Sequence, residues 1–133
     1  MLRTRLAALA ATFGAVACAT APLSFVDGRP FGHATLNRYP VRIVAVDGQS
    51  YFREPVAVGP GPHTIVAEAA PGSGPNLRLQ KAFVLNIEPC THYHLAADRE
   101  SPLLAEWTPV VESKDKVGEC NPEQELRKAQ PRG

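Results

Sequence analysis

The sequence predicts an all-β fold, and three observations carry that reading. β-branched and aromatic runs recur at short, fairly regular spacing with turn residues between them, as in an antiparallel sandwich or barrel. The chain has 13 prolines in 133 residues, about twice the usual share of roughly 5 %. A proline inside a helix costs about 3 kcal/mol, so long helices are not expected after residue 21. No helical pattern is long enough to form a crossover, which argues against parallel α/β folds. A chain of this length holds one domain, and the runs suggest a single antiparallel β-sandwich of about six or seven strands.

The elements follow in order. Residues 18–39 hold Pro22, Gly28, Pro30 and Gly32 among scattered apolar residues and read as a linker, with one short strand near Leu23 to Val26. The sandwich then occupies residues 40–120. Val41 to Asp47 is apolar on both faces except for Arg42, as expected of a central strand, and Asp47-Gly48 supplies a turn. Tyr51 to Val58 is broken by Pro55, which demotes it to an edge or irregular strand. Gly59-Pro60-Gly61-Pro62 is a rigid turn, His63 to Ala70 a strand, and Pro71 to Pro75 a loop. The cleanest alternation runs from Ala82 to Glu88, where Phe83, Leu85 and Ile87 share the core face. Pro89-Cys90 makes a tight connection, and Thr91 to Ala97 turns Tyr93 and Leu95 inward. Leu103 to Val111 is a last extended run, with Trp107 expected in the core. Residues 121–133 form a polar, frayed tail with room for one short helix, capped by Asn121 and with Pro122 in its first turn.

The N-terminus points to export. Arg3 and Arg5 precede an uncharged run from Leu6 to Val16, a charged segment followed by an apolar one of signal-peptide length. As a helix that run covers about 17 Å of a hydrocarbon core of about 30 Å, too little to span it. Ala15-Val16-Ala17-Cys18 satisfies the small-residue cleavage rule and resembles the bacterial lipobox, whose cysteine becomes the acylated first residue. The resemblance implies a signal peptide over residues 1–17 and a lipid anchor on Cys18; the alternative is ordinary cleavage after Ala17 or Ala19. Acyl chains on one sulfur give stable attachment when more than one is present. Ala19 resembles the pattern of lipoproteins passed on to the outer membrane, so the expected place is the cell envelope, on the periplasmic side.

Cys18 apart, Cys90 and Cys120 form an even pair, and an exported protein meets oxidising conditions. A bond between them closes a loop of about 31 residues, which restricts the unfolded chain by roughly 3.7 kcal/mol. Two free thiols or metal ligands are the alternatives. The net charge of +1 leaves no field to gather phosphates, so nucleic acid is not an expected partner.

Val46-Asp47-Gly48, Pro55 to Val58, Pro60-Gly61-Pro62-His63-Thr64-Ile65 and a later strand ending in Leu85 and Ile87 resemble the PEGA-like, immunoglobulin-type domains of bacterial surface proteins. The layout is also similar to small lipoproteins of Gram-negative bacteria. Both resemblances imply an Ig-like β-sandwich, and neither implies a reaction or a cofactor.

His92 and His94 are two apart, so on a strand they share a face about 7 Å apart, close enough for two imidazoles to hold one metal ion. Cys90 has the same parity, and His63 or Glu88 could add a ligand. The alternative places both histidines on the solvent face opposite Tyr93 and Leu95, with Cys90 in a disulfide. No nucleophile elbow, zinc-protease helix, phosphate loop or dinucleotide fingerprint occurs, and Asp98, Glu100 and Glu106 read as solvated acids. No enzyme is expected. Tyr51 and Phe52 point a ring to each side of any strand they form, leaving one accessible to a partner. The expected function is a non-catalytic envelope module that engages a protein or glycan, with periplasmic metal binding through His92 and His94 as the alternative.

Overall fold

The computed structural model describes residues 21–32, 34–69 and 80–130. Cys18, the segment 1–17 and the loop from Pro71 to Pro75 lie outside them. The described residues form β1 (Ser24–Asp27), β2 (Arg38–Val46), β3 (Gln49–Ser50), β4 (Val56–Val58), β5 (Gly61–Ala69), β6 (Gln80–Ile87), β7 (Thr91–Asp98), β8 (Thr108–Lys116) and α1 (Pro122–Ala129). The protein is all-β and sandwich-like, as expected, with eight strands rather than six or seven because β3 and β4 are very short.

The sheet runs β4-β1-β7-β2-β5-β6, with β3 added to β2 and β8 to β7. It is mixed rather than wholly antiparallel, since β1 lies parallel to β7. A parallel pair needs a long connection between its strands, and β2 through β6 supply it. β2 is the bridge between the two halves: Arg38 to Pro40 pair with β7, whereas Val41 to Val46 pair with β5. A register shift between Ile43 and Ala45 lets both Ile43 and Val46 face inward although they are three apart. That shift explains why this strand reads as apolar on both faces.

One core unites both halves, with Val26, Val56, Val58, Tyr93 and Leu95 from one side and Ile43, Ile65, Ala67 and Ile87 from the other. Trp107 is buried among them, while Phe83 and Leu85 pack against the cluster, as their alternation requires. The Asp47-Gly48 turn has positive φ at both residues, the geometry Asp-Gly favours in a two-residue hairpin. Asp47 locks the turn to β5: Oδ1 accepts from the Thr64 N–H at 2.9 Å and Oδ2 lies 2.5 Å from His63 Nδ1.

Three boundaries need correction. The stretch 18–39 is not merely a linker, because Val26 is completely buried and β1 is an interior strand between β4 and β7. The short strand expected near Leu23 to Val26 is present as β1, but its partners lie far along the chain and make it part of the fold. Residues 121–130 are likewise part of the fold. Asn121 caps α1 by accepting from the N–H groups of Glu123 and Gln124, and Glu125 is buried, accepting from Leu23 N–H at 3.3 Å. The final strand, expected to end at Val111, instead covers Thr108–Lys116. Cys90 and Cys120 are joined in a disulfide with Cα atoms 5.7 Å apart, tying the β6–β7 turn to the start of the helix.

Candidate metal centre

Parallel pairing sets Phe25 beside His92 and Asp27 beside His94. Because side chains alternate along a strand, these four share one face while Val26 and Tyr93 enter the core. One donor atom each from Asp27, His92 and His94 lies within 4.8 Å of the others. Donors on a tetrahedral ion with bonds of about 2.0–2.2 Å lie about 3.4 Å apart, so small side-chain rotations would close the set on a cation.

The histidine rings are stacked, with centroids 4.4 Å apart and planes inclined by 12°. Phe31 stacks on the outer side of His94 at 4.0 Å, and Phe25 tilts against His92 at 5.7 Å. These aromatics shield the pair from water. His94 is buried and His92 half-buried, which corrects the expectation that both lie on an open solvent face. The cover comes from Phe25 and Phe31, in a segment read from sequence as linker.

Asp27 is buried, yet charged. Burial opposes its ionisation, but the hydrogen bonds and charge of Arg29, helped by His92, outweigh it and hold the carboxyl at about 2. Arg29 donates from its backbone N–H (3.1 Å) and Nε (2.9 Å) to Oδ1 and from Nη2 (2.7 Å) to Oδ2. His92 Nε2 lies 3.3 Å from the same Oδ2.

β8 completes the neighbourhood. His94 Nε2 lies 3.3 Å from Asp115 Oδ2, and Ser113 is the register partner of His94. His94 Nδ1 and Ser113 Oγ are both buried without a hydrogen-bond partner among the described residues. Buried polar atoms are ordinarily satisfied, and an orphan is costly, so this corner of the molecule has unused coordinating capacity.

Other residues singled out from sequence lie elsewhere. Cys90 is oxidised to the disulfide and is no ligand. His63 is held between Asp47 and the Gly59 carbonyl, and Glu88 pairs with Lys114. Tyr51 packs on the core, whereas Phe52 is 93 % exposed in the connection between β3 and β4. Asp98 and Glu106 form ion pairs with Arg38 and Lys81. Sequence reasoning missed Asp27, Ser113 and Asp115. The alternation Ser24, Val26 against Phe25, Asp27 was the available signal for the first, but nothing local named its neighbour. Comparison with protein families, curated proteins and solved structures gives no match.

Proposed function

We propose that this chain is a non-catalytic, lipid-anchored protein of the cell envelope that holds a divalent transition-metal ion, zinc or copper, through Asp27, His92 and His94. The observation that carries the reading is the convergence of one carboxylate and two imidazoles, from two adjacent parallel strands, within 4.8 Å. An ionised carboxylate with two imidazoles is a donor set suited to zinc or copper, and three protein ligands leave a coordination position open. Support for the envelope comes from the signal-like N-terminus ending at Cys18 and from the disulfide, a bond characteristic of oxidising compartments.

Equilibrium dialysis of the full mature protein in detergent against zinc, followed by elemental analysis, tests the site. One ion per chain is expected, lost in His94→Ala and His92→Ala and kept in His63→Ala. A wild-type protein that retains no metal, or a His92→Ala/His94→Ala variant that retains all of it, overturns the reading.

A second reading, engagement of an envelope protein or glycan partner, is favoured by the nearly complete exposure of Phe52. Aromatic side chains dominate interface hot spots. Crosslinking in intact cells through a photoreactive residue at position 52 should capture a partner, and a clean monomer band counts against it.

A further inference from the structure

We propose that Arg29 is a built-in competitor of the metal ion: its guanidinium occupies Asp27 when no ion is bound and must leave for the ion to coordinate. The proposal rests on the metal-binding reading above and adds how that site is regulated.

An ionised carboxylate has two oxygens and about four lone-pair positions. In this structure all four are engaged, Oδ1 by the Arg29 backbone N–H and Nε, Oδ2 by Arg29 Nη2 and His92 Nε2. A cation that takes His92 and Asp27 together must approach Oδ2, where Nη2 already sits at 2.7 Å. Guanidinium and divalent cation would then lie a few ångströms apart on one oxygen, and like charges that close repel strongly in partly desolvated surroundings.

Arg29 has somewhere to go. Its side chain is 57 % exposed, against 4 % for Asp27, so only the carboxylate is fixed. Arg29 borders a cavity of about 250 Å³ that Phe31 and Glu112 also line. Glu112 offers a carboxylate there, so release exchanges one acidic partner for another. Binding is weakened by whatever the Asp27–Arg29 pair offers beyond the exchanged pairing with Glu112, as suits an ion that is taken up and given away rather than one locked in for structure.

Calorimetric titration of zinc into the full mature protein in detergent tests this in wild type, Arg29→Gln and Arg29→Lys, with the Arg29 Nε–H resonance followed by NMR. With the competing guanidinium gone, Arg29→Gln should bind zinc at least about tenfold more tightly. Arg29→Lys, which keeps the charge without the fork, should fall between. In wild type the Nε–H resonance should shift in step with zinc occupancy, a readout that needs no variant. Equal or weaker affinity in Arg29→Gln, or an unmoved resonance while wild type takes up zinc, overturns the competitor and leaves the metal site standing. Failure of wild type and Arg29→Gln alike to bind zinc overturns the metal reading itself.

Discussion

Asp27 shows how one side chain can serve stability and chemistry together. Its carboxyl sits at about 2 in the fold against 3.8 in the unfolded chain, so it stabilises the protein above the unfolded value and ceases to as pH falls toward 2. The difference corresponds to about 2 kcal/mol. Asp27→Asn should lose about that much by urea denaturation at pH 7, and the gap from wild type should close as pH is lowered through 3.8 toward 2. Its neighbour Gly28 is constrained for a different reason. A Cβ there would lie 2.1 Å from the Val41 carbonyl oxygen, whose residue donates its own N–H to the Gly28 carbonyl at 3.0 Å. Gly28→Ala should therefore cost about 3 kcal/mol, read as a lowered denaturation midpoint. From sequence Gly28 looked like a loop glycine, because the backbone that crowds it belongs to β2.

At the scale of elements, legibility follows the range of the interaction. The alternation in β6 and β7 placed Phe83, Leu85, Ile87, Tyr93 and Leu95 correctly, since period 2 is a local property. The helix cap at Asn121 was legible too, because its partners Glu123 and Gln124 are adjacent in sequence. β1 was legible as a short strand near Leu23 to Val26, but its place in the sheet was not, as that depends on a parallel register with residues 67 positions away, and no local pattern encodes a distant partner. The metal centre inherits that division: His92 and His94 could be read from one strand, whereas Asp27 could be joined to them only by the sheet. The disulfide was legible as parity among three cysteines. Reducing Cys90–Cys120 should remove about 2–4 kcal/mol of stability, measured by denaturant unfolding with and without reductant, without abolishing the β signal in circular dichroism.

For the whole molecule, the described fold begins close to the expected anchor. Leu23 already donates its backbone N–H to Glu125 on α1, so four residues, 19–22, separate Cys18 from the folded domain. Four residues reach at most about 14 Å. In place of a long linker, a lipidated Cys18 implies that α1 and the disulfide end stand beside the bilayer. Cys18→Ser should release the protein from membranes after a salt wash, whereas wild type stays in the pellet; a mutant that still pellets would contradict the anchor. The intact mass of native protein reports signal removal and acylation at once.

The claim on which the functional reading turns is that Asp27, His92 and His94 converge on one ion. X-ray absorption spectroscopy on the zinc-loaded mature protein examines that shell itself. The predicted spectrum has two imidazole nitrogens at about 2.0–2.1 Å and carboxylate oxygen at about 2.0–2.2 Å, with no sulfur. A shell without imidazole scattering, or one containing sulfur, would contradict it.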